Sequence, residues 1–234
     1  MVNACLTGGV TPNGQKQPTE LRIAEPAQVL ALAYAPKSSK QLFASFFLLD
    51  QKLDRIVRTA KEPVLAQMRL AWWREQIAIL GEASQPDPLL QMLGSAWVGE
   101  EASLLELIDG WEELLGCSFR SPADWHATLE KHAAPYLAIA SRTAASVPID
   151  AVRSASLLIA AANLFAHSAN ENERHTLRDY VAEHRSPPIH FPRALRPLAI
   201  LFTLSERMLE RGGSQLLERP GDLLAAIRAG FRGH

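Results

Sequence analysis

The stretch Glu62-Pro63-Val64-Leu65-Ala66-Gln67-Met68-Arg69-Leu70-Ala71-Trp72-Trp73-Arg74-Glu75 decides how this chain is read. Pro63 suits the first position of a helix, where the N–H it lacks would have no intrahelical partner. Behind it Leu65, Met68, Trp72 and Ile79 recur at three- and four-residue steps, and Trp73, Ile77 and Leu80 widen the stripe. The spacing predicts a helix from Pro63 to Leu80 with this stripe turned to the core. Arg69 falls on the stripe, one turn from both Leu65 and Trp73. A guanidinium keeps its charge on burial, so in that place it needs a carboxylate, a phosphate or an aromatic face. Two readings stay open: a core helix whose Arg69 stacks on Trp73 or pairs with a neighbouring helix, and an Arg69 that faces an interior polar cavity.

A second helix upstream offers a partner. Between residues 41 and 57, Phe43, Phe46, Phe47, Asp50, Leu53, Asp54 and Val57 lie along one face. Asp50 and Asp54 are one turn apart and near the middle of that stripe. Burying unpaired charge is costly, so they need a cation. Either Lys52, Arg55, Arg58 or Arg69 neutralises them, or they hold a divalent metal completed by phosphate or water. We expect a direct contact between Arg69 and one of the two acids. Acids at this spacing occur by chance in many helices and identify nothing alone.

With 234 residues, 47% of them hydrophobic, the chain is long enough to bury a core as one domain. Helical patterns dominate and strand signals are almost absent. Helices are expected from Pro26 to Tyr34, Ser39 to Thr59, Pro63 to Leu80, Pro88 to Ala96 and Glu101 to Gly116. Ser121-Pro122 opens another toward Ser146, which Pro135 should kink or divide. Asp150 is read as the cap of a helix reaching Asn170, followed by a polar loop from Asn170 to Arg174 and a short helix ending before Ser186. Pro192 begins a helix running to Arg211, Gly212-Gly213 ends it, and a last helix follows Pro220. Residues 1–20, rich in Gly, Thr, Asn and Gln, are expected to be disordered.

Net charge near −1, with no basic cluster interleaved with aromatics, gives no reason to expect nucleic acid. Cys5 and Cys117 make no disulfide framework and fit a reducing compartment. No apolar run is read as long enough to cross a membrane and no signal segment is recognised, which suggests a cytoplasmic protein with at most peripheral contact at the inner membrane. His126, His132, His175, His184 and His190 lack zinc-type spacing and read as surface or satisfied histidines.

The order of an aromatic-rich helix, an acidic pair and then Pro63-x-x-x-x-Met68-Arg69-Leu70-x-Trp72-Trp73-Arg74 resembles the squalene/phytoene synthase family. It most resembles the divergent branch that includes the mitochondrial complex I assembly factor related to phytoene synthase. Asp109-Gly110-Trp111-Glu112, Asn163-Leu164-Phe165-Ala166-His167 and Phe191-Pro192-Arg193-Ala194-Leu195-Arg196-Pro197-Leu198 are looser matches, and together the segments span roughly residues 26 to 211. The resemblance implies an all-α, single-domain helical bundle of isoprenoid (terpenoid) synthase type over residues 21–234, with a central cavity. Active members carry two aspartate-rich motifs on facing helices, which bind the magnesium ions that hold a prenyl diphosphate.

The departures from that pattern fall on the motifs themselves. Matched without gaps, the first motif lies on Asp54-Arg55-Ile56-Val57-Arg58, with Arg where acids are expected; one turn earlier, it recovers Asp50 and Asp54. The second lies on Asn163 to Glu171, where His167 and Glu171 replace the acids and Ala166 replaces an Arg. Mg²⁺ prefers oxygen ligands, and a departing diphosphate needs metals and cations to hold its charge. The implied site is Asp50, Asp54, Arg55, Arg58, Arg69, Trp72, Trp73, Asn163, His167 and Glu171. The resemblance with these losses implies a pseudoenzyme without a cofactor, binding an apolar isoprenoid or lipid or a protein partner in respiratory complex assembly. The alternative is an active prenyl-diphosphate transferase with Mg²⁺ on Asp50, Asp54 and Glu171. Phe43, Phe46, Phe47, Leu53, Met68, Trp72 and Leu164 are expected to line the cavity.

Overall fold

Prolines open half of the ten α-helices among the described residues of the computed structural model, which are 21–81, 87–115, 121–144, 146–168, 170–184 and 190–233. The expected disorder of residues 1–20, Cys5 and Cys117 lie outside the described residues. A proline in a first turn sacrifices no hydrogen bond and brings a preset φ. Pro26 opens α1 (Pro26–Ala33), Pro63 opens α3 (Pro63–Ala78), Pro88 opens α4 (Pro88–Ala96), Pro122 opens α6 (Pro122–Thr143) and Pro220 opens α10 (Pro220–Arg232). Between them run α2 (Lys37–Thr59), α5 (Glu101–Glu113), α7 (Ile149–His167), α8 (Glu171–Glu183) and α9 (Arg196–Arg211), the last preceded by a short 3-10 turn. No strand occurs among the described residues, so the protein is all-α.

Sequence pattern and structure part company at five places. Ser121 and Asp124 close a reciprocal capping box at the start of α6, and that helix continues unbroken through the buried Pro135. Asp150 lies in the first turn of α7 and is not its cap. Ser168 is extended and ends that helix at His167, three residues before its expected end. The polar run after it is a helix start, because the Asn170 side chain accepts from the Asn172 N–H at 3.0 Å and opens α8 at Glu171.

The fifth difference concerns α3. Its buried face is Ala66, Leu70, Trp73 and Ile77, packed chiefly on α5 and α2. Of the stripe expected to be inside, Leu65, Met68, Trp72 and Ile79 point out, 39 to 65% exposed, whereas Trp73, Ile77 and Leu80 are buried. Arg69 shares that outer side and is exposed, so the expected contact with Asp50 or Asp54 is not made. The helix is apolar on both sides, and period alone does not say which side the bundle takes.

The centre of the bundle is α7, flanked by α6, α8 and α9. Its run of Ala160, Ala161 and Ala162 is buried. This 19-residue helix is long and apolar enough to cross a membrane by length and composition, contrary to the sequence reading, but most of it is covered by the rest of the protein. Phe43 and Phe46 of α2 face α6, where the Tyr136 ring meets Phe46 edge-on at 4.8 Å. The far side of the bundle is pinned by Asp222 of α10, which is fully buried and accepts from Arg207 and Arg211 and from the N–H groups of Glu218 and Arg219.

Candidate functional site

A cavity of about 270 Å³ opens between the start of α1 and helices α2, α6, α7 and α9. It exists because small residues on α7 (Ala160, Ala162 and Ala166) stand opposite Asp50 and Asp54 of α2 without filling the gap. Phe46, Tyr136, Ile159, Leu201 and Met208 supply an apolar wall, and Asp50, Asp54, Asn163 and His167 supply a polar one. Four residues expected from sequence thus meet in one place. A groove of about 320 Å³ between α7, α8 and α9 is more open, and Arg178, Glu206 and Glu210 give it mixed charge; none of the expected site residues lies there.

The polar wall is built from two helix faces and one buried tryptophan. Asp50 Oδ1 accepts from Trp111 Nε1–H at 2.8 Å. Trp111 is fully buried, edge-on to His132 at 4.9 Å. Burial pushes the Asp50 carboxyl up to about 7, and the charge of Asp54 adds to this; the Trp111 hydrogen bond and the Arg58 guanidinium oppose it only in part. The residue is half-buried because its carboxyl sits at the cavity wall, among apolar neighbours yet within reach of solvent. Burial, and then the charge of Asp50, also raises Tyr136 well above its ordinary range.

Asp54 pairs with Arg58, one turn along the same helix. Arg58 Nη1 also donates to the carbonyl oxygen of His167 at 3.1 Å, and its guanidinium lies 5.8 Å from the Trp111 ring centre. His167 Nδ1 lies 2.8 Å from the Asn163 carbonyl oxygen. Since that oxygen only accepts, Nδ1 carries the proton and Nε2 is left as the variable atom.

The segment Asp109-Gly110-Trp111-Glu112 supports this site from behind. Asp109 and Glu112 both accept from Arg74 of α3, the latter at 2.7 Å, which holds α3 and α5 together. A Cβ on Gly110 would come within 3.0 Å of His132 Cδ2 and 3.1 Å of Lys131 Cβ, so the glycine allows α5 and α6 their close approach. Trp111 then reaches Asp50. Sequence reading matched this segment to a family but did not foresee its contact with Asp50. Nor did it assign His132, Tyr136 or Met208 to the cavity. The remaining histidines behave as expected where described: His126 Nδ1 meets the Tyr180 hydroxyl at 2.7 Å and His175 pairs with Asp179.

Other expected site residues stand elsewhere. Arg55, Arg69 and Trp72 are exposed and Trp73 is buried in the core, and none of the four lines the cavity. Of the seven residues expected to line it, only Phe46 does so. Glu171 is 87% exposed on α8, with Arg174 at 3.9 Å. The spacing of Asn163, His167 and Glu171 breaks because α7 stops at His167, so Glu171 belongs to a different helix. Asp50, Asp54 and Glu171 therefore do not converge, and Asp54 is already held by Arg58. Among the described residues no group of three or more His, Cys, Asp or Glu side chains is placed to hold a metal ion. This set does not fit Mg²⁺.

No family model, no curated protein and no solved structure matches the chain.

Proposed function

We propose that this chain is a metal-impaired relative of the squalene/phytoene synthases, of isoprenoid synthase type, that holds an apolar isoprenoid or lipid in its cavity without condensing prenyl diphosphates. One observation carries the reading. The cavity joins an apolar wall to a polar end at Asp50, Asp54, Asn163 and His167, the segments where the resemblance places the two motifs. The acids there are engaged by protein donors: Asp50 by Trp111, Asp54 by Arg58. A ligand with a long apolar body and a small hydroxyl head fits such a lining, the body against Phe46, Leu201 and Met208 and the head near Asp50 and His167.

The reading is tested by titrating the purified chain with farnesol or geranylgeraniol, following tryptophan emission and melting temperature. Trp111 is the reporter, since it lies behind Asp50 while Trp72 faces outward. Saturable quenching with a rise in melting temperature is expected. Incubation with farnesyl or geranylgeranyl diphosphate and Mg²⁺ should give no squalene, phytoene or cyclopropyl precursor; their formation would establish the active transferase instead. A flat titration with the alcohols would remove the ligand reading.

A further inference from the structure

We propose that the outer faces of α1 and α10 form a surface that docks on an anionic phospholipid membrane. On α10, Leu223, Leu224 and Phe231 are 46, 58 and 73% exposed, while Asp222, Ala226, Ala229 and Gly230 on the other side are buried. This is an amphipathic helix whose apolar side has two parts, one against the protein and one facing out. The ring of Tyr34, just after α1, lies against Gly230, where a Cβ would come within 2.6 Å, and meets Phe231 edge-on at 5.6 Å. That contact sets the end of α1 beside the end of α10. Helix α1 carries no charged residue and presents Val29, 52% exposed.

The charged side chains exposed on α10 and directly after α1 are basic. Arg228 and Arg232 are exposed on α10, and Lys37 is exposed at the start of α2, directly after α1. The nearby acids are spent elsewhere. Asp222 is fully buried against Arg207 and Arg211, Glu218 lies 3.7 Å from Arg211, and Glu25 caps α1 by accepting from the Ala27 N–H. Single exposed apolar side chains are ordinary on a protein surface. A run of them rimmed by cations is the pattern of a helix that lies in a lipid headgroup layer. The outward stripe of α3 lacks this bias, since Lys61 and Arg69 alternate there with Glu62 and Glu75. The proposal stands apart from the ligand reading, although Gln28 of α1 also lines the cavity and so adjoins the docking face.

Flotation of the full chain with vesicles tests it. Vesicles of phosphatidylcholine with phosphatidylglycerol should carry the protein, those of phosphatidylcholine alone should carry little, and added salt should release it. Arg228→Glu with Arg232→Glu should weaken binding by roughly thirtyfold or more, because each basic residue near an anionic surface contributes a factor of about five and Glu adds repulsion. Leu223→Ser with Leu224→Ser should weaken it at least about tenfold through lost apolar insertion. All four side chains are exposed, so circular dichroism melts of both variants should match the parent. Absence of flotation with the mixed vesicles, or unchanged flotation of either variant, overturns the proposal. So does a concentration-dependent dimer in light scattering that the variants abolish, since a second copy would then cover this face.

Discussion

Replacing Asp50 by Asn tests the electrostatics of the cavity directly. In the folded protein this carboxyl is raised from 3.8 to about 7, with burial as the largest cause. At low pH it is protonated in both folded and unfolded chains and adds no penalty. As pH rises above 3.8 the unfolded chain loses the proton first, so the native state binds more protons and the free energy of unfolding falls. The loss is complete once pH has passed the folded value of about 7. The rise from 3.8 to about 7 sets a ceiling on the order of 4 kcal/mol, and solvent reaching the cavity should reduce it to roughly 2 kcal/mol. Asn keeps an oxygen to accept the Trp111 N–H but never ionises. The variant should therefore exceed the parent by roughly 2 kcal/mol at about pH 8 and equal it at about pH 4. For a chain of this size that is a rise in Tm of about 4–8 °C at the higher pH only. Thermal and urea unfolding of both proteins across that range measure it. A difference that does not change with pH, or an Asn variant less stable at the higher pH, would refute the argument that desolvation governs Asp50.

Two further substitutions probe other parts of the fold. Arg69→Ala should change stability by no more than about 0.5 kcal/mol in urea unfolding, because the side chain is exposed on the outer side of α3; a loss of several kcal/mol would restore the buried ion pair. Asp222→Ala should cost about 3–5 kcal/mol, since it strands Arg211 in a largely buried position. Burial alone would raise the Asp222 carboxyl, but its backbone donors, Arg207 and Arg211 together hold it below 3.8. Its contribution is thus present above 3.8 and lost as pH falls through the folded value, a slope opposite to that of Asp50 and absent in the variant.

The helix starts were legible because proline and Ser121 act locally, within the turn they begin. The face of α3 was not. Leu65, Met68, Trp72 and Ile79 make as regular a stripe as Ala66, Leu70, Trp73 and Ile77, and the choice between them depends on what α5 and α2 present. The larger side chains drew the reading outward, whereas the buried stripe includes an alanine that allows close packing. The break after His167 carried no Gly or Pro to announce it, and its available signal was Asn170 as a cap. Asp50, Asp54, Asn163 and His167 were placed at one site by the resemblance, which sets its two motifs on facing helices; spacing alone puts only the members of each pair one turn apart. Trp111 was missed because its partner is 61 residues away, a distance that helical periodicity does not reach.

The same residues explain how two acids persist on an apolar face without the contact to Arg69. Asp54 takes its counter-charge from Arg58, four residues along its own helix, so the neutralising cation is supplied locally. Asp50 takes a neutral donor, Trp111, and avoids part of the remaining cost by keeping its proton to well above the usual carboxylate range. Arg58 does a second job by donating to the carbonyl of His167, which ties the C-terminal parts of α2 and α7 together across the cavity. A bridging metal between those two helices would have to displace Arg58 from Asp54 and draw a proton from Asp50 as well. Each step removes an interaction that the folded chain already makes. An uncharged headgroup asks for neither, since it can exchange hydrogen bonds with Asp50 and His167 while the Asp54–Arg58 pair stays closed.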